Sequence, residues 1–120
     1  MRIFHIMDKL SCFPIKKEGK DYAPETLNNE GFIHCCKIDE ILMVANTFFK
    51  GKHGLMLLVI NQKKVTSKVG HEPPYETPTS KYNFPHIYGP LNISAIEMEI
   101  ELHPKEDGSL EIPKELFEED

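Results

Sequence analysis

The chain has 120 residues, of which 40% are hydrophobic and 28% are charged, and its formal net charge at pH 7 is −5. This length and composition are typical of one soluble globular domain that buries a single core. The acidic balance argues against a general nucleic-acid-binding protein, so RNA is the less favoured partner.

The sequence also argues against a membrane protein and against a disulfide-stabilised one. The longest apolar run, 55–60, is long enough for a strand but too short to cross a bilayer. The N-terminus carries no signal-peptide pattern. Three cysteines, two of them adjacent, do not form a disulfide framework. We therefore expect a cytoplasmic protein with no membrane partner.

The first predicted strand, 2–7, carries a histidine. Alternation along this strand puts His5 on one face together with Ile3 and Met7. The stretch that follows, 8–29, has no clear hydrophobic period, so the sequence does not assign its structure.

The segment GFIHCC, 31–36, predicts a second strand that carries another histidine. In a strand, His34 shares one face with Phe32 and Cys36, whereas Cys35 points to the other face. This strand therefore presents an imidazole beside an aromatic ring at its end.

The middle of the chain predicts a core helix followed by a central strand. From about 38 to 50, apolar residues recur at the helical period and form one stripe, which indicates the main core helix. The run 54–60 is apolar without alternation, which is typical of a central strand covered on both faces. A shorter strand is predicted within 65–72.

The last third of the chain predicts a long loop, one more strand and a tail. Residues 73–90 contain five prolines and predict a constrained loop of the kind that often carries function. Residues 95–102 alternate and predict a strand with all of its apolar side chains directed inward. The acidic tail, 104–120, is expected to be peripheral.

The two adjacent cysteines favour neither a metal site nor a cysteine nucleophile. Because neighbours on a strand point to opposite faces, Cys35 and Cys36 cannot easily bind one zinc ion, and no ligand pair with zinc-site spacing accompanies them. For the same reason His34 does not face either thiol as a catalytic base. We expect no metal.

The histidines leave two interpretations open. A buried imidazole costs free energy unless its nitrogens are hydrogen-bonded, so His5 and His34 are either satisfied core histidines or groups presented to a ligand. The segment FPHIYGPL, 84–91, adds His86 and Tyr88, held by prolines in what is either a binding loop or a rigid turn.

The chain resembles a bacterial and plant family known as domain of unknown function 952. The resemblance rests on motifs that occur in this order over residues 2 to about 102, which are IFHI, EGFIHCC, VANTFFKG, LMLLVI, GHEP and FPHIYGPL. The chain departs from the usual family pattern at Cys36, where a serine normally caps the following helix.

The resemblance implies a fold and a site. The family's fold is grouped with the ADP-ribosyltransferases, which implies a single compact α+β domain over 1–103, with two packed, mostly antiparallel sheets, one main core helix at about 38–50, and the tail 104–120. A narrower likeness to the RNA 2′-phosphotransferases of tRNA splicing implies that His5 hydrogen-bonds the nicotinamide-side ribose and that His34 lies beside it. Glu72, in GHEP, is then the candidate carboxylate.

The implied activity is that of an NAD-dependent transferase. The ligand would be NAD or a related ADP-ribosyl or phosphorylated nucleotide, and the acceptor is not indicated. The candidate catalytic residues are His5, His34 and Glu72. The candidate cofactor-binding residues are His5, Phe32, His34, His86 and Tyr88. The alternative is a non-catalytic small-molecule or nucleotide-binding module that has the same cleft.

Overall fold

The computed structural model describes residues 2–10, 19–72 and 84–117. In chain order the elements are β1 (Arg2–Asp8), α1 (Glu25–Glu30), β2 (Ile33–His34), α2 (Ile41–Phe48), β3 (Leu55–Asn61), β4 (Val69–Glu72), β5 (Phe84–Ile87) and β6 (Ile96–Leu102), with 3₁₀ turns at Ile38–Glu40, Gln62–Lys64, Ile93–Ala95 and Lys114–Phe117. None of the helices in these ranges is long and apolar enough to cross a membrane.

The strands form two antiparallel sheets. The first sheet has the order β1–β3–β6 and the second has the order β2–β5–β4. β3 is central in the first sheet, and the four residues from Leu57 to Ile60 are fully buried. This burial on both faces accounts for the unbroken apolar run, so the prediction of a central strand is confirmed.

The first sheet separates two apolar cores. On one face, Phe4 and Leu57 pack with Ile41 and Ala45 of α2. On the other face, alternate residues of the same strands pack against the second sheet through side chains that include Ile33. The predicted α+β domain, with two packed antiparallel sheets and one main helix, is therefore confirmed.

The two sheets are joined where β2 ends. The backbone N–H of Phe4 donates to the carbonyl of Cys36, and the N–H of Cys36 donates back to the carbonyl of Phe4, each at 2.8 Å. Cys36 is thus buried in the core under α2, whereas Cys35 is buried in the core between the sheets. The two thiols face opposite cores, as strand alternation predicts.

The predicted helix over 38–50 is shorter and composite. A 3₁₀ turn, Ile38–Glu40, precedes α2, and the backbone N–H of Lys37 donates to Oε1 of the buried Glu40 at 2.8 Å. Glu40 therefore supplies a cap at this end of the helix.

The predicted loop 73–90 is wrong at Phe84–Ile87. Residues 73–83 lie outside the described residues, but Phe84–Ile87 is β5, the middle strand of the second sheet. Pro85 is tolerated there because its carbonyl, which accepts from Cys35 N–H at 3.0 Å, faces the side where β2 leaves the sheet. The missing N–H of the proline thus interrupts little of the ladder.

Two expectations for the C-terminal part also need correction. A register shift between Val59 and Ile60 sends Ile96 toward the core between the sheets, so the apolar residues of β6 do not all point to one face. The tail is not peripheral, since Leu110 and Leu116 are buried in the core beneath α2.

Candidate functional site

A cavity of about 640 Å³ opens beside β1, between α1 and α2. The stretch of β1 from Phe4 to Asp8 forms one wall, and residues of α2 between Met43 and Phe48 form another. Tyr22, Glu30, His34 and His86 also line the cavity. It reaches from the apolar core under α2 to the histidines of β1, β2 and β5.

His5 is held at the bottom of this site by two hydrogen bonds. Its Nδ1 lies 2.6 Å from the carbonyl oxygen of His34, and its Nε2 lies 3.0 Å from the hydroxyl of Tyr22. A carbonyl only accepts, so Nδ1 carries the hydrogen, and Nε2 accepts from the tyrosine. Both nitrogens of His5 are therefore used within the protein.

Burial keeps His5 neutral. The imidazole is 8% exposed, and desolvation lowers the pKa of His5 to about 4. The hydrogen bond to the backbone of His34 acts in the opposite direction, and the nearby imidazole of His34 adds to the lowering. His5 is thus an uncharged group at neutral pH that aligns the backbone of His34 and the side chain of Tyr22.

His34, in contrast, directs its ring outward. Its side chain is 46% exposed, and its Nε2 lies 2.5 Å from Oε2 of Glu30. The pair forms because α1 ends at Gly31, whose φ of 88° is in the left-handed region, and the chain turns back at once into β2. This turn sets the last residue of α1 beside the last residue of β2.

An aromatic group supports His34 from behind. Phe32 stacks on His86 with ring centroids 4.0 Å apart and planes 15° apart, and the ring of His34 meets the edge of Phe32 at 4.7 Å. Tyr88 completes the group, with its ring centroid 6.2 Å from that of His86. The Lys68 ammonium lies 5.9 Å from the ring centroid of Tyr88. Phe32 and Tyr88 do not line the cavity, so they act on it through the two histidines.

The structure brings together most of the predicted site residues. His5, His34 and His86 line one cavity, and Phe32 and Tyr88 pack against this group. The backbone of Glu72 pairs with Phe84 in β4 and β5, and its side chain lies outside what the structure describes.

Sequence reasoning missed two members of the site. Tyr22 and Glu30 both lie in the stretch 8–29 or at its border, where no hydrophobic period draws attention to them. The one available signal for Glu30 is its spacing of four residues from His34, but Gly31 between them rules out a shared helix. Tyr22 carries no local signal, because its link to His5 arises only in the fold.

The charges of the cavity are acidic. Asp8 and Glu30 are among the lining residues, and no lysine or arginine lines it within residues 2–10, 19–72 and 84–117. Cys35 and Cys36 also line it, but burial raises the pKa of both thiols, that of Cys36 to about 12, which removes them as nucleophiles. The part of the chain that the structure describes contains no group of three or more potential metal ligands.

Comparison with protein-family models identifies the chain over most of its length. The model for "Protein of unknown function (DUF952)" matches residues 14–99. The chain belongs to this family. A comparison with curated proteins gives no match.

Among solved structures, the fold is similar to that of protein CC0527 from Caulobacter crescentus. The crystal structure of that protein is 23% identical in sequence, with a TM-score of 0.79 over 92% of this chain and 94% of the other. Its solution NMR structure gives a TM-score of 0.68 over 90% of each chain. At this level of identity the likeness shows a similar fold alone.

Proposed function

We propose that the cavity of this DUF952 domain binds NAD or a related nicotinamide nucleotide through its nicotinamide–ribose end. The observation that carries the proposal is the composition of the cavity, in which an apolar wall from α2 faces His34 and Glu30 across a space of about 640 Å³. Pockets that bind small molecules are typically about 300–1,000 Å³, mostly apolar, with a few convergent polar groups.

The charges of the lining favour one end of such a ligand. The pyridinium ring of NAD is aromatic and positively charged, and it suits a site with Asp8, Glu30 and the ring of Phe48 among its lining residues. A phosphate group would be repelled by the same carboxylates. We therefore expect the phosphates to lie outside the described lining.

The polar groups suit a ribose. His34 is half exposed and fixed by Glu30, so its ring can contact the ribose without first ordering its side chain. His5 does not contact the ligand itself. Its hydrogen bonds hold the backbone of His34 and the hydroxyl of Tyr22 in place. Of the two ligand roles predicted for these histidines, direct contact is proposed for His34 alone.

A non-catalytic binding module is the second candidate, and one observation favours it. Both nitrogens of His5 are satisfied inside the protein, so this predicted catalytic group has no nitrogen left for a reaction. Such a module would bind the nucleotide and leave it intact.

The test is titration calorimetry and thermal unfolding with NAD, nicotinamide mononucleotide, ADP-ribose and nicotinamide. We expect NAD and nicotinamide mononucleotide to bind, and ADP-ribose, which lacks the pyridinium, to bind at least about tenfold more weakly. A ligand at 100 times its Kd adds about 2.7 kcal/mol to the free energy of unfolding, which is readily measured.

A matched control is available directly after β6, the other edge strand of the first sheet. His103 pairs with Glu101 at 3.1 Å, and neither residue lines the cavity. We expect His34→Ala to weaken NAD binding and His103→Ala to leave it unchanged. Equal binding by wild type and His34→Ala, or binding of ADP-ribose as tight as that of NAD, would contradict the proposal.

A further inference from the structure

The pair formed by Glu30 and His34 has the arrangement of an acid–base group. A carboxylate only accepts hydrogen bonds, so the contact of 2.5 Å between Oε2 of Glu30 and Nε2 of His34 requires the hydrogen on Nε2. In the neutral ring, Nδ1 then keeps its lone pair. Nδ1 of His34 makes no hydrogen bond to any residue that the structure describes.

Several other polar groups that line the cavity are buried or already hydrogen-bonded, and His86 is only 4% exposed. Both nitrogens of His5 are hydrogen-bonded, and the two thiols are protonated because burial raises their pKa. Oδ1 of Asp8 accepts from the backbone N–H of Leu10 at 3.0 Å. His34 therefore combines a half-exposed ring that lines the cavity with a basic nitrogen that is not engaged by the described residues.

We propose that His34 is a general base that activates a water molecule for hydrolysis of the nicotinamide–ribose bond, and that Glu30 is the residue that positions it. This inference rests on the proposed function, since it needs NAD in the cavity. The carboxylate role that the sequence-based hypothesis gave to Glu72 is thus assigned to Glu30. The predicted product is free ADP-ribose instead of a modified acceptor.

The step balances with water as the only co-reactant. The water oxygen bonds to C1′ of the ribose as the bond from C1′ to the pyridine nitrogen breaks. The electron pair of that bond stays on the nitrogen, and nicotinamide leaves as a neutral molecule. One water proton passes to Nδ1 of His34 and then to solvent, so NAD⁺ and water give ADP-ribose, nicotinamide and a proton.

Glu30 assists in two ways. By accepting the Nε2 hydrogen it fixes the tautomer that presents a basic Nδ1, and its charge stabilises the imidazolium formed during the step. Glu30 also lines the cavity, where its charge favours the positive charge that develops on the sugar. Both side chains are roughly half exposed, so replacing either leaves no buried group unpaired.

The experiment measures three quantities on wild type, His34→Asn, Glu30→Gln and the control His103→Asn. They are nicotinamide release from NAD, NAD affinity by calorimetry, and the tautomer of His34 by long-range ¹H–¹⁵N NMR. We expect wild type and His103→Asn to release nicotinamide at equal rates, and His34→Asn to be slower by about 10²-fold. For Glu30→Gln we expect a loss of at least about tenfold, together with a mixture of tautomers, because an amide stabilises either one.

The outcomes separate this inference from the proposed function. Tight NAD binding without nicotinamide release by the wild type would overturn the role of His34 as a general base and would support the non-catalytic binding module. Release that is unchanged in His34→Asn, or an Nδ1–H tautomer in the wild type, would also overturn it. Failure of NAD to bind would overturn both, and the calorimetry alone detects that case.

Discussion

Lowering the pH should destabilise the protein through His5. The unfolded chain binds a proton at this residue below about pH 6.5, whereas the folded chain binds it only near pH 4. Between these values the unfolded state carries more protons, so its population grows as the pH falls. The stabilisation is therefore complete above pH 6.5 and is lost progressively toward pH 4.

The magnitude follows from the size of the pKa shift. One pKa unit corresponds to about 1.4 kcal/mol, so a fall from 6.5 to about 4 corresponds to roughly 3 kcal/mol in full. By pH 5 the contribution lost is about 2 kcal/mol, and few carboxylates have titrated at that pH. For a domain of this size that is a large part of the total stability.

Urea unfolding followed by far-UV circular dichroism, at pH 7 and pH 5, measures this contribution. The comparison uses wild type, His5→Gln, and His103→Gln, in which an exposed histidine is removed. We expect His5→Gln to be less stable at pH 7 by about 1–3 kcal/mol, since Tyr22 and the carbonyl of His34 lose a partner. Its stability should then change less between the two pH values than that of the other two proteins. Equal losses in all three would refute the buried neutral imidazole.

Two further predictions concern a close backbone approach and the thiols. A Cβ at Gly89 would lie 2.4 Å from Oγ of Ser67, so Gly89→Ala should lower the free energy of unfolding by about 1–3 kcal/mol. Adding Ser67→Gly should recover most of this loss, and denaturant titration of the wild type, the single variant and the double variant checks both expectations. Because the pKa of Cys36 is raised to about 12, its alkylation by iodoacetamide at pH 8 should be slow in the native protein and fast in urea, and a native rate equal to that of the denatured chain would contradict its burial.

The sequence predicts the elements whose apolar pattern is set by the core they face. α2 shows the helical period because one side of it packs on the sheet, and β3 lacks alternation because both of its faces are buried. The strand β5 was missed because proline is rare within sheets, and Pro85 is acceptable only where the neighbouring strand departs. That departure is a property of the fold and leaves no mark on the local sequence.

The candidate site was predictable to a similar degree. Motif resemblance directed attention to His5, His34 and His86, and the three do line one cavity. The partners that define their chemistry were not predictable, because Tyr22 and Glu30 approach them only through turns in a stretch without a period. As a result the sequence could not distinguish the satisfied imidazole from the exposed one.

The hydrogen bonds between Phe4 and Cys36 have a consequence for how the chain reaches its native state. β1 precedes the other described strands of this domain, yet its partners are Cys36 and the residues of β3, Leu55–Asn61. The edge that pairs with β3 cannot be covered until about half of the chain has been made. Non-local pairings of this kind slow folding and leave an apolar strand exposed in the nascent chain. The N-terminal half alone is thus a poor folding unit, and the two sheets should form in one cooperative step.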